Sequence, residues 1–175
     1  QRFSHSDMGP LVLAFQTRGD AHSPAALAGL HVYTQQLRAM PGVVKVSGLT
    51  SIDDKLGLAD YQLLYEFPEQ FPLASETLAS YAKGDTTMMY VEYSAAPSSE
   101  EARQLVRQIR AIPLPASMQQ VQVGGFPAFH LDYLHSLRVW VPWTIAAIVC
   151  VIFVLLFFML GSVFIPLKAV ITNLL

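Results

Sequence analysis

The chain has 175 residues with 11 basic and 13 acidic side chains, a net charge of −2 and 53% apolar residues. A nearly balanced charge with no basic block lacks the electrostatic footprint of a nucleic-acid-binding protein, so no nucleic-acid partner is expected. The single cysteine, Cys150, lies in the most apolar stretch, which leaves the polar part without a disulfide or a cysteine-based metal site.

Gly9 to Thr17, GPLVLAFQT, is a short run rich in β-branched and aromatic residues between Gly-Pro and Gly19-Asp20, and predicts a strand. Ser23 and Pro24 supply an N-cap and a first-turn proline. Leu27, Leu30, Leu37 and Met40 then recur at helical spacing until Pro41-Gly42 ends the helix. Val43, Val44, Val46 and Leu49 predict a second strand, completing one β-α-β unit.

A second unit starts at Met88 to Ser94, where Met89, Val91 and Tyr93 alternate onto one face. Pro97 and Ser98 open a helix, with Ser98 and Glu101 at capping-box spacing. Ala102, Leu105, Val106, Ile109 and Ile112 form its buried stripe, and Pro113 and Pro115 close it. Val121 to Val123 predicts a last short strand ending at Gly124-Gly125. Two such units in tandem predict an α+β fold, the ferredoxin-like βαβ-βαβ arrangement with both helices on one face of the sheet. An insertion over about residues 53–87 separates the units, a length that ordinarily carries structure or function. Within it, Pro72 to Lys83 predicts a helix with Leu73, Leu78 and Tyr81, and Tyr61 to Phe67 fits helix or strand.

Phe126 to Arg138, FPAFHLDYLHSLR, predicts a helix with Pro127 in its first turn and Phe129, Tyr133 and Leu137 on one face. It runs directly into Val139 to Leu167, which holds no Asp, Glu, Lys, Arg or His. About 20 helical residues cross about 30 Å of hydrocarbon, so one span from about Val139 to Leu160 is expected, leaving Gly161, Ser162 and Pro166 beyond it. Pro142 is expected to kink the helix one turn inside. All 13 acidic and 10 of the 11 basic residues precede the run, so a water-soluble head of about 135 residues, one domain by size, is fused to an anchor. The chain opens on Gln1, and SVFIPLKAVITNLL at its end turns apolar again around Lys168. The expectation is a fragment of a longer protein that stops within a second span.

Three stretches carry a resemblance: VGGFPAFHLDYLHSL, the proline-containing approach to the span with FFMLGSVFIPLKAVITNLL after it, and GDTTMMYVEYSAAPSSEEARQLVRQIR upstream. With the helix-to-strand link PGVVKVSG, they resemble the large mycobacterial-type membrane protein transporters, the MMPL family of the resistance-nodulation-division (RND) superfamily. The resemblance implies part of a polytopic bacterial inner-membrane exporter, driven by the proton gradient and moving lipids or other hydrophobic molecules outward. It implies that residues 1–135 are an extracytoplasmic porter domain, by its wording the second of two. Residues 136–160 would then be the membrane helix with its interfacial approach, and 161–175 a cytoplasmic turn and the start of the next helix. The implied partners are the cargo lipid, membrane lipids, the rest of the same transporter, a second copy and accessory envelope proteins. No cofactor and no enzyme activity are implied. The acidic residues that relay protons in the family lie outside this chain.

On that footing Phe126, Phe129, Tyr133 and Trp140 either line a route by which a greasy substrate climbs into the head or pack the connecting helix against its neighbours. Gly124 and Gly125 serve a sharp turn needing positive φ or a hinge, with Pro127 and Pro142 as further coupling positions. Trp140, Trp143, Arg138 and Lys168 are expected at the membrane interface, and the two cations on opposite sides of the span leave orientation open by charge alone. His130 and His135 are five apart, off a common helical face, and read as surface residues rather than as a metal pair. Asp132 reads as a solvated residue near the bilayer, with a proton-gating role as the sharper alternative. No Gly-x-Ser-x-Gly elbow is present. The rival to the transporter is a membrane-anchored extracytoplasmic interaction or sensory domain.

Overall fold

A computed structural model of the chain describes residues 9–53 and 55–160. The expectations for Gly161, Ser162, Pro166, Lys168 and a second span fall outside the described residues. The chain divides into two units, one ending at Leu131 and the other beginning at Asp132.

The first unit is the head. Strand β1 is Leu11–Thr17, helix α1 Pro24–Arg38 and strand β2 Val43–Ser47. The insertion contributes α2, Leu58–Glu66, a turn of 3-10 helix at Pro68–Gln70, α3, Pro72–Tyr81, and the two-residue strand β3, Ala82–Lys83. Strand β4 is Thr86–Tyr93, helix α4 Glu100–Arg110 and strand β5 Met118–Gly124. Among the described residues all pairings are antiparallel, in the order β2-β4-β1-β5 with β3 beside β4. Setting the short β3 aside, this is the ferredoxin-like order: each β-α-β unit skips a place that the other unit fills.

Alternation along the strands decides which face is covered. Leu11, Leu13 and Phe15 of β1 and Met89, Val91 and Tyr93 of β4 are buried, and the residues between them are half-buried or exposed. Leu27, Leu30 and Leu37 of α1 and Ala102, Leu105, Val106 and Ile109 of α4 join the same core. The two helices meet where the Tyr33 hydroxyl donates to the Ile109 carbonyl at 3.2 Å, with Phe15 edge-on to the Tyr33 ring at 5.0 Å between centroids. The insertion adds to this layer through Tyr61, Tyr65 and Ala74. The Tyr65 hydroxyl donates to the Leu49 carbonyl at 2.7 Å, and the Gln62 amide to the Pro24 carbonyl at 3.2 Å.

Four local expectations are corrected. The cap of α4 is Ser99, whose hydroxyl accepts from the Ala102 amide at 3.2 Å. With the helix starting one residue later, Glu101 stands too early to close a box with Ser98, whose carbonyl instead takes the Arg103 guanidinium at 2.8 Å. Leu49 is buried but lies beyond the end of β2. The helix expected over Pro72 to Lys83 ends at Tyr81, with Ala82 and Lys83 in β3; Ala74 and Thr77 are its buried residues and Leu73 is exposed. β5 begins three residues before Val121, because a strand with one open face accommodates Gln119 and Gln120.

Burial pushes the Tyr33 phenol up to about 12 and raises Tyr65 as well. A folded-state value above the ordinary one of about 10 means that these groups favour the folded state below about pH 10, and that the contribution is lost as pH rises through about 12. Urea denaturation of the detergent-solubilised chain should therefore give a head stability that is level up to about pH 10 and falls above it. Tyr33→Phe should cost about 0.5–1.5 kcal/mol at neutral pH and shallow the alkaline fall.

Candidate functional site: the strand-to-helix junction

The last strand does not end in a loop. β5 pairs with β1 as far as Gly124, opposite Val12, and helix α5, Phe126–Leu160, begins two residues later. Gly125 makes the turn at φ +105°, and a Cβ there would stand 3.1 Å from the Pro10 carbonyl oxygen and 3.2 Å from the Leu11 Cα. Both the backbone conformation and the close approach to β1 require glycine. Gly124 is less constrained: its Cβ would make an ordinary 3.6 Å contact with the Val12 carbonyl.

The Gly125 carbonyl accepts the Phe129 amide at 3.0 Å, opening the helix. Pro127 occupies the first turn, where its missing amide costs nothing, and it is buried together with Ala128. Leu131 packs on the head core. The opposite side of the same turns is apolar and open: Phe126 is 50% exposed and Phe129 67%.

At 100° per residue Phe126, Phe129, Tyr133 and Trp140 share one stripe of α5, so the helix gathers the four aromatic residues singled out from the sequence. Tyr133 is 51% and Trp140 66% exposed. Trp143 is exposed too, as is Arg138. Pro142 lies in the second unit, inside a helix that runs on through it. Near it the Thr144 hydroxyl donates to the Trp140 carbonyl at 3.0 Å. α5 is the helix long and apolar enough to cross a membrane, and its exposed Ile, Val, Leu and Phe side chains from Ile145 to Met159 suit a lipid surroundings.

One polar contact at the junction escaped the sequence. An Arg103 Nη1 on α4 stands 3.3 Å from His130 Nδ1 on α5, and the same nitrogen donates to the Ser98 carbonyl. Nε and Nη2 of Arg103 both reach Glu100 Oε2, at 3.0 and 2.8 Å. The other Glu100 oxygen accepts from Arg107. Hydrogen bonds from Arg107 and then Arg103 hold the Glu100 carboxyl below its usual range. The His130 ring also stacks on Phe126, 5.9 Å between centroids and 21° apart. The sequence signalled the Glu100–Arg103 pair by its i, i+3 spacing, but nothing pointed from α4 to His130.

A split β-α-β head whose final strand, Gly124 included, turns at Gly125 alone into a helix of membrane-crossing length defines a membrane-anchored α+β protein. The chain matches the MMPL family over residues 1–175 and belongs to it. MMPL proteins are membrane transporters of the RND type. No curated protein matches the chain.

The two glycines should separate experimentally. Gly125→Ala, strained at positive φ and crowding Pro10 and Leu11, should lower head stability by about 1–3 kcal/mol, whereas Gly124→Ala should change it by no more than about 0.5 kcal/mol. Denaturant midpoints of the two variants measured side by side check the contrast, and equal losses would show that the turn does not depend on Gly125.

Proposed function

We propose that this chain forms a porter domain, together with the membrane helix that couples it, of a proton-gradient-driven exporter of lipids or other hydrophobic molecules. The head works outside the cytoplasm, and the protein sits in the bacterial inner membrane with further spans. The observation that carries the reading is α5. It starts in the head core at Pro127 and Ala128 and runs as one helix of 35 residues to Leu160, with no loop between strand β5 and the apolar stretch. In this reading α5 is the element that carries movement from the membrane part to the sheet, since strand β5 enters it through Gly125. Rocking of repeat halves around a substrate path is the mode expected of pseudo-symmetric transporters. The stripe of Phe126, Phe129, Tyr133 and Trp140 offers an apolar track suited to an acyl chain. MMPL membership supports transport as the activity.

Two measurements on the full-length transporter test this reading. Insertion of Gly-Pro between Leu134 and His135 should abolish export while leaving membrane insertion and head folding intact, and undiminished export would sink the coupling role. Mass spectrometry of lipids co-purified in mild detergent should show one class enriched, and that class should be lost when Phe126, Phe129 and Tyr133 are changed to alanine. Retention in the variant would move the route off this helix.

A further inference from the structure

We propose that the Arg103–His130 contact is a protonation-sensitive clasp, with Arg103 as the residue that positions the first turns of α5 on the head. The argument begins with what each group can do. A guanidinium only donates, so the bond at 3.3 Å requires His130 Nδ1 to be an acceptor, which it is in the neutral imidazole carrying its proton on Nε2. Once the ring is protonated, both nitrogens carry hydrogen. The N–H groups of Arg103 and His130 then oppose each other, and two cations face across the same gap.

Arg103 has little freedom to move aside. Its side chain is 18% exposed, and three of its N–H bonds are directed at Glu100 and at the Ser98 carbonyl. Glu100 is the carboxylate of this network, and its two oxygens are already engaged by Arg103 and Arg107. The other titratable groups close to His130 in sequence are Asp132 and His135, and α4 also carries Glu101, Arg107 and Arg110. On its own helix the ring lies flat on Phe126. Imidazoles ordinarily change charge between about pH 5 and 8. The neutral ring closes the clasp and the protonated ring opens it. This assignment rests on the α4–α5 geometry within the head and holds whether or not the chain exports lipid.

The test is hydrogen–deuterium exchange of the full-length protein in nanodiscs at about pH 8 and about pH 5, corrected for intrinsic exchange, with His130→Gln and Arg103→Ala alongside. In the wild type, peptides covering residues 126–131 should lose at least about tenfold protection at the lower pH. His130→Gln, whose amide oxygen accepts at either pH, should stay protected throughout, and Arg103→Ala should be unprotected at both. His135→Gln should behave as wild type. Nitrogen chemical shifts of labelled histidine supply a second readout that needs no variant: His130 should be the Nε2–H tautomer at high pH. Protection that ignores pH in the wild type, the same loss in His130→Gln, or an Nδ1–H tautomer at high pH would each overturn the clasp.

Discussion

The approach of Gly125 to strand β1 is the constraint on which the junction depends. β1 is flanked on both sides, by β4 and β5, and its residues Leu11, Leu13 and Phe15 are fully buried. The chain leaves β5 with the Gly125 backbone close enough to Pro10 and Leu11 that a methyl group would not fit without displacement. The start of α5 is thereby set against an inner strand of the sheet. A longer connection could have reached the same point, but each free residue would have added slack between the strand and the helix.

Much of the fold could be read in the sequence because its burial is periodic. Met89, Val91 and Tyr93 announce β4 through a period of two, and Leu27, Leu30 and Leu37 announce α1 through a period near 3.6. Where burial is not periodic the reading failed. β3 is two residues, Ala82 and Lys83, too short to alternate, and it is held by a hairpin that turns through Gly84 at φ +61°. The start of β5 is masked by glutamines on an open face. Ser98 and Ser99 are adjacent and chemically equivalent as caps, so residue type alone does not choose between them.

The same division applies to the site. The placing of the aromatic residues on one helix and the positive-φ turn at Gly125 could be read because they are local properties, whereas Gly124, expected to share that turn, belongs to β5. The Arg103–His130 contact joins residues 27 apart, and it exists only because α4 and the first turns of α5 pack at the same place on the head. His130 therefore read as an ordinary surface histidine, which is the correct prior for a lone imidazole with no partner in its own segment.

The side of α5 that meets the head explains why a polar contact matters there. Pro127 and Ala128 are buried but small, and Leu131 is the one large apolar residue of these turns that packs on the core. The bulky residues, Phe126 and Phe129, point away. Apolar burial scales with area, so the inward side contributes modestly, and its small residues grip weakly against rotation about the helix axis. The close approach at Gly125 fixes where the helix begins. A directional bond one turn later, from a guanidinium held at Glu100 and Ser98, fixes which way it faces. Had the aromatics been turned inward, the packing would have been stronger and the polar bond dispensable, but the stripe that α5 presents outward would be gone. The arrangement exchanges hydrophobic grip for an apolar outer surface, and it leaves the orientation of the helix to a bond whose strength depends on the charge of one histidine.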